Sequence, residues 1–359
     1  MKRILCILSS LDAGGAETFL MKINRALKPE DYQMDFIVSV DGGCYKEEVI
    51  SRGGRINKIP KRTEDFIGAF RAIEKVVKLN NYDTVLKLAE NSLSVADMIA
   101  AKLGGAKNLV VRSCNAPTNL TFKEKFIHYA IRPLLNLITT VRLAPSDLAS
   151  DFMFGKNREV HLINNGVDLD VFHFDKEGRE QIRKEFGIEN KLVIGHVGRY
   201  TKQKNHRHLL NVFKEISKVR EDAVLMLVGK GELEEEIKNQ IAELKLTDKV
   251  ILTGLRFDIP QILSAMDLFV FPSFHEGMPN TVIEAQATGL PCIIADTITK
   301  EADITGLVKY LPLEETPEFW AKTILDSKFE NRRLTKDEFV KHGYDIKTVA
   351  NNLMGLICN

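Results

Sequence analysis

No stretch of this 359-residue chain approaches the roughly 20 apolar residues that a membrane-spanning helix requires. Charge of one sign is not in excess either. Fifty Lys and Arg face 49 Asp and Glu, a balance that implies no polyelectrolyte partner and disfavours a nucleic-acid binder. Cysteine is scarce and odd in number. Cys6, Cys44, Cys114, Cys292 and Cys358 form no close pair, so no disulfide framework or metal knuckle follows, and a reducing, cytoplasmic compartment fits. Low-complexity tracts and short repeats are missing. The N-terminus, MKRILCILSSLDAGG, begins like a secretory signal, but its apolar run stops at Ser9 and shows no small-x-small cleavage site. A buried first strand is expected there instead.

What is present is a globular composition, 44% apolar and 28% charged. At about 150 residues per domain, the length predicts two domains. Short apolar runs alternate with amphipathic stretches throughout. Strands are expected at Arg3–Leu8, Met34–Val40, Thr84–Leu88, Asn108–Arg112 and Val141–Pro145, with helices at Ala16–Leu27, Asp65–Leu79, Ser92–Leu103 and Lys123–Leu137. Runs that are apolar at every position, rather than at alternate ones, mark strands buried on both faces of a parallel sheet. The pattern pauses in a polar stretch between Asn164 and Asn190, then resumes with strands at Leu192–Val197, Ala223–Val228, Val250–Thr253, Leu268–Phe271 and Cys292–Ala295. Two doubly wound α/β domains are the economical reading, residues 1–165 and 166–342, with a C-terminal helix near 343–359 packing back on the first. The cleft between them is where chemistry is expected. Residues 1–165 carry a net charge of +6 and the remainder −5.

Three constellations lie at strand ends. Gly14-Gly15-Ala16-Glu17 follows the first strand and opens a helix, where adjacent glycines let backbone amides approach an anion. The dinucleotide fingerprint G-x-G-x-x-G is missing, which argues against a nicotinamide cofactor. Gly198-Arg199 ends a second-half strand and is followed by Lys204 and Asn205, the expected N-cap of helix His206–Lys218. Two cations beside a helix start suit a diphosphate whose charge grows as it leaves. Glu276-Gly277-Met278-Pro279-Asn280-Thr281-Val282-Ile283-Glu284 is the most specific. Pro279 suits the first turn of a helix, Glu276 precedes it, Glu284 projects from its second turn, and the amides near Asn280 and Thr281 offer an anion cradle.

Glu276 and Glu284, with seven residues between them, resemble the E-x7-E motif of retaining GT-B glycosyltransferases, specifically glycosyltransferase family 4. The resemblance runs along nearly the whole chain. It includes the Gly14-Gly15 loop, the junction segment Asn164-Asn165-Gly166-Val167-Asp168, the Val197-Gly198-Arg199 and Lys204-Asn205 element, and the turn Val228-Gly229-Lys230-Gly231. The stretch Phe274 to Pro291 is similar to its counterpart in bacterial capsular and exopolysaccharide transferases. The resemblance implies two Rossmann-like domains facing across a cleft, with a metal-independent hexosyl transfer from a nucleotide-diphosphate sugar, UDP favoured. Arg199, Lys204 and Glu276 would be the catalytic set. Gly14, Gly15, Gly198, Gly277, Met278, Pro279, Asn280, Thr281 and Glu284 would hold the donor, and Gly254, Leu255 and Arg256 would lie against the base. No metal or other cofactor is implied; Asp168-Leu169-Asp170 has the D-x-D spelling but falls in the junction.

Relatives often carry histidines after the fifth strand. Here Arg112 and Asn115 stand in that stretch and are the acceptor-side candidates. His128 and His196 read as packing or surface residues, and Cys114 has no evident base partner. Arg52, Arg55, Lys58, Lys61 and Arg62 form a basic cluster. Helix Thr121–Leu137 is amphipathic and fits either an anionic membrane surface or, by the commoner fate of such helices, the sheet. The acceptor expected from the resemblance is a saccharide on a lipid diphosphate at the inner face of the plasma membrane. A soluble small-molecule or glucan acceptor, and a catalytically silent sugar-nucleotide-binding scaffold, remain as alternatives.

Overall fold

The computed structural model describes residues 1–12, 14–114, 120–327 and 332–358. The chain forms two compact units, Met1–Gly166 with Gly343–Asn359, and Val167–His342. In chain order the first unit contains β1 (Lys2–Ile7), α1 (Gly15–Ala26), β2 (Tyr32–Val38), α2 (Lys46–Ser51), β3 (Ile56–Lys58), α3 (Phe66–Asn80), β4 (Thr84–Ala89), α4 (Val95–Leu103), β5 (Asn108–Ser113), α5 (Phe122–Ile138), β6 (Val141–Ala144), α6 (Asp147–Phe154) and β7 (His161–Leu162). The second contains α7 (Lys176–Glu185), β8 (Leu192–Val197), α8 (His206–Val219), β9 (Ala223–Val228), α9 (Glu234–Glu243), β10 (Val250–Gly254), α10 (Ile259–Ala265), β11 (Leu268–Phe271), α11 (Asn280–Ala287), β12 (Cys292–Ala295), β13 (Val308–Leu311), α12 (Pro317–Asp326) and α13 (Lys336–Lys341). The last helix, α14 (Ile346–Ile357), belongs to the first unit.

Each unit is built on one parallel sheet, ordered β3-β2-β1-β4-β5-β6-β7 in the first and β10-β9-β8-β11-β12-β13 in the second. The predicted strands lie within one or two residues of those observed. The reason is burial on both faces: β4, β8 and β9 are buried at every position. Alternate residues of one strand enter different cores. Ile4 and Cys6 of β1 pack with α1 and α14, whereas Leu5 and Ile7 pack with α3 and α4. The second sheet is packed on both sides in the same way. Strands β3, β7 and β13 were not expected, being short or mixed in polarity.

Side-chain caps fix where helices begin. Asp65 accepts from the Gly68 amide at the start of α3, and Thr121 and Glu124 form a reciprocal capping box on α5. Buried Asp35, in the middle of β2, ties neighbouring elements together: it accepts from Arg3 at 2.6 Å, from the Tyr82 hydroxyl at 2.6 Å and from the Arg55 amide at 2.7 Å. The basic cluster of residues 52–62 is dispersed by such partners. Arg52 donates to the Asn24 and Leu27 carbonyls and Arg55 to Asn80, while Lys58, Lys61 and Arg62 pair with Asp41, Glu64 and Asp97.

Helix α14 supplies Ile346, Val349, Ala350, Leu353, Met354 and Ile357 to the first unit's core. Leu353 is fully buried. Leu353→Ala should therefore cost about 2–5 kcal/mol, read as a lowered denaturation midpoint by far-UV circular dichroism.

Candidate functional site

Strand order places the site. In the second sheet the order reverses between β8 and β11, and at such a switch point the two carboxyl-end loops part and leave a crevice. The loop after β8 carries Arg199 and Lys204; the loop after β11 carries Glu276. Three hydrogen bonds lace these loops together. Phe274 N donates to the Gln203 carbonyl at 2.9 Å, Gln203 Nε2 to the His275 carbonyl at 2.8 Å, and Lys204 Nζ to Glu276 Oε1 at 2.7 Å. The Lys204 and Glu276 side chains are only 18% and 10% exposed. The Lys204 ammonium also sits 4.6 Å from the Phe271 ring centroid, a favourable cation–π position.

Local sequence sets this placement. Lys204 ends a single 3₁₀ turn, and Asn205, in the left-handed region at φ 54°, turns the chain into α8. Asn205 is the N-cap that the sequence predicts, accepting from the His208 amide at 3.4 Å. Arg199 is not drawn in. Its side chain is 76% exposed, and its nearest acid, Glu232, is 3.9 Å away. Lys204, rather than both cations, meets Glu276.

Glycines let the neighbouring loops touch backbone to backbone. A Cβ on Gly229 would lie 2.1 Å from the Gly198 carbonyl oxygen, and one on Gly231 would lie 2.4 Å from that of Tyr200. The Gly229 amide donates to the Gly254 carbonyl at 2.9 Å and the Tyr200 amide to the Lys230 carbonyl at 3.0 Å. A continuous rim thus runs along the carboxyl ends of β10, β9 and β8. Within it Gly254 has φ +70° and Leu255 is exposed. Arg256 is committed elsewhere, donating to Glu185 at 2.6 Å and Asp258 at 2.8 Å. The hydrogen bonds it donates to Asp258 and Glu185 raise its pKa further.

Gly277 and Met278 lead from Glu276 to α11. Pro279 occupies the N-cap position rather than the first turn. The expected position is corrected by one residue, because the backbone of Pro279 is extended there at ψ 91°. It has no side-chain oxygen for the first-turn amides, and its carbonyl accepts from Val282 and Ile283. Asn280 and Thr281 start the helix, and Glu284 lies half-buried in its second turn. The sequence reading missed Gln286, whose buried amide locks α11 in place. Its Nε2 donates to the Ala302 carbonyl at 2.7 Å, and its Oε1 accepts from the Ile304 amide at 3.0 Å.

Beneath this rim lie two histidines. His196 Nδ1 donates to the Val270 carbonyl at 2.9 Å, and its ring meets that of His206 edge-on. Burial, with the charge of Lys204, pushes both imidazoles down, His206 to about 4. His128 is likewise a packing residue, stacked on Phe152. Among the described residues, no group of three or more His, Cys, Asp or Glu is arranged to hold a metal ion.

The first unit reverses its strand order between β1 and β4, and a cavity of about 660 Å³ opens there, lined by Leu8, Glu17, Lys87, Glu90 and Ile131 among others. Gly14 is the N-cap of α1 and lies against the Glu17 carboxylate, whereas the space beside Gly15 is open. Burial first, with Glu90 and Asp12 adding repulsion, raises the Glu17 pKa. Lys87 pairs with Asp97 at 3.2 Å, and Arg62 pairs with the same carboxylate at 3.1 Å. This cluster was missed, although a lysine inside the apolar run Thr84–Ala89 was its signal. Arg112 requires correction. It points into the interior, donating to the Ile163 carbonyl and Asn165 Oδ1 at 3.0 and 2.7 Å, with its guanidinium 3.8 Å from the Phe19 ring centroid. Burial lowers its pKa to about 10. In this structure its guanidinium is occupied by these interior partners. Asn115 lies outside the described residues. Burial pushes the Cys114 thiol up to about 11, which removes its nucleophilicity at neutral pH.

Two Rossmann-like units, each on one parallel sheet, are the architecture of the GT-B fold. HepE of Anabaena, solved with UDP and glucose, superposes with a TM-score of 0.78 over 99% of both chains at 19% identity. The family model of glycosyl transferases group 1 matches residues 178–308. The chain is 32% identical to a putative glycosyltransferase of Bacillus subtilis, EpsF, over 99% of this chain and 96% of that protein. It is 31% identical to the UDP-Gal:α-D-GlcNAc-diphosphoundecaprenol α-1,3-galactosyltransferase of Escherichia coli, over 63% of this chain and 60% of that one. The chain belongs to the glycosyl transferases group 1 family.

The buried histidines give the second unit a pH dependence. Unfolded, a histidine protonates near its ordinary 6.5, but His206 in the fold does so only near 4. Stability should be full above about pH 6.5 and fall as the pH drops toward about 4. Denaturant titrations monitored by Trp320, buried in this unit, should show that fall, and His206→Phe should make it shallower while His196 keeps the remainder.

Proposed function

We propose that this chain is a retaining, metal-independent transferase of glycosyltransferase family 4. It moves a hexose from a UDP-sugar to a saccharide carried on a lipid diphosphate, at the cytoplasmic face of the membrane, in capsular, exopolysaccharide or O-antigen synthesis. The observation that carries the reading is the Lys204–Glu276 contact at the β8/β11 switch point, beside the N-terminus of α11. A lysine so enclosed is placed to neutralise a diphosphate, and a carboxylate beside it can accept sugar hydroxyls. The galactosyltransferase relative, named for a UDP-linked donor and a diphosphoundecaprenol acceptor, favours UDP and the lipid-linked acceptor.

Under this reading the donor diphosphate lies against Lys204, the glycine rim and the first-turn amides of α11, with Arg199 closing on it from solvent. Glu284 holds the ribose hydroxyls and Glu276 the hexose hydroxyls. The bond from the anomeric carbon to the diphosphate oxygen breaks, and the acceptor oxygen bonds to the same face of that carbon. Its proton passes to the leaving diphosphate. Charge growing on that oxygen is stabilised by Lys204 and Arg199. The cavity of the first unit, lined by Glu17 and Glu90 as well as by Leu8 and Ile131, is the acceptor side.

Nucleotide release from a panel of UDP- and GDP-sugars tests the reading. Wild type should hydrolyse one UDP-hexose slowly in the presence of EDTA. Glu276→Ala and Lys204→Ala should each lower kcat/KM by about 10²–10³-fold, with thermal stability measured on the same samples. A wild type that neither releases nucleotide nor is thermally stabilised by any of them would sink the transferase and favour a scaffold.

A further inference from the structure

Helix α5 carries a feature that the transfer reaction does not use. One side of it is packed. His128 accepts from the Ser92 amide at 3.1 Å and stacks on Phe152, and Leu135 and Asn136 are buried beside it. The other side is apolar too, but uncovered. Phe122, Phe126, Tyr129 and Leu137 are 87%, 68%, 49% and 78% exposed. With exposed Pro133 between them, they fall within one arc of about 80° on the helix. Single exposed apolar residues are ordinary, whereas a stripe of four large ones marks a surface meant to be covered.

The charges around the stripe identify what covers it. At helical spacing, Lys123 and Lys125 flank it on opposite sides, and both are exposed. The one carboxylate among them, Glu124, is taken up by the capping box, accepting from the Thr121 amide and hydroxyl at 2.8 and 2.7 Å. Arg132 lies back on the α6 carbonyls of Asp151 and Phe152. An apolar stripe edged by ammonium groups suits a layer whose interior is hydrocarbon and whose surface is phosphate.

We propose that α5 is an interfacial anchor, lying in the plane of an anionic phospholipid bilayer with Phe122, Phe126, Tyr129 and Leu137 in the acyl region and Lys123 and Lys125 among the phosphates. The sequence offered sheet packing or a membrane surface for this helix; its two apolar faces let it do both. The proposal goes beyond the transferase reading and does not rest on it, because its readout is binding and not turnover.

Co-sedimentation of the full chain with vesicles tests it, comparing phosphatidylcholine alone with phosphatidylcholine plus phosphatidylglycerol. Wild type should pellet with the anionic vesicles and be partly released by salt. Phe122→Ser with Phe126→Ser should weaken partitioning by at least about tenfold. Lys123→Glu with Lys125→Glu should abolish the preference for phosphatidylglycerol, each lysine contributing about fivefold. Both variants should keep the wild-type melting temperature, since the altered side chains are exposed. Wild type that ignores anionic vesicles, or phenylalanine variants that bind as well as wild type, would overturn the proposal. So would a concentration-dependent dimer that the phenylalanine variants dissolve, because the stripe would then meet a second copy.

Discussion

A lysine and a glutamate, each nearly withdrawn from water, hold the second unit's loops in register. Ions in that setting are costly unless they meet, and removing one partner leaves the other buried and unpaired. Lys204 and Glu276 therefore constrain each other, with Gln203 and Phe274 bonding the same two loops on either side. Neighbours in the sheet, β8 and β11, deliver these loops from segments 72 residues apart. The functional constellation follows from strand order before any fine geometry. Any rearrangement of β8 against β11 would separate the pair, so the integrity of the sheet and that of the site are one condition.

The rim beside the pair is rigid for another reason. Gly229 and Gly231 bring backbone within contact of Gly198 and Tyr200, where any side chain would collide. Tyr200 is buried and its hydroxyl donates to the Leu227 carbonyl at 3.1 Å. The histidines below are kept neutral by the same burial that keeps water out. Neutral rings beneath this loop add no positive charge to that of Lys204, which meets Glu276 directly. Preorganised groups of this kind need little reorganisation when charge develops in front of them, which is what electrostatic stabilisation requires.

Much of this was legible in the sequence because burial on both sheet faces writes itself as uninterrupted apolar runs. The strands Leu192–Val197 and Ala223–Val228 have the bounds their composition predicts. Short strands such as His161–Leu162 carry too few residues for any period to show. Side-chain partners were legible only in part. Arg256 follows a strand, as a ligand-binding arginine would, but Glu185, 71 residues away, takes its guanidinium. Arg112 was expected on the acceptor side, yet it belongs to strand β5 and its side chain donates to the Ile163 carbonyl. Long-range partners decide whether a cation is spent or available, and a linear pattern does not carry them. For α5 the periodicity was correct, but a helix with two apolar faces gives the same signal as a helix with one broad face.

The two units repeat one strand order and differ in the chemistry at its reversal. In the second, the switch point offers a lysine, glycine amides and a helix start with no side-chain cap, all suited to negative charge. In the first, it offers Glu17 and Glu90 with Lys87 already neutralised by Asp97. A diphosphate would be repelled by those carboxylates; burial first, with repulsion from Glu90 and Asp12 added to it, already raises the Glu17 pKa. Hydroxyl groups would not be repelled, since each can donate to a carboxylate oxygen, and the apolar residues that also line the cavity suit sugar carbons. Under the proposed transfer, the same topology serves twice: one edge suits an anionic leaving group and the other a neutral nucleophile, the division of labour that group transfer between two different substrates needs.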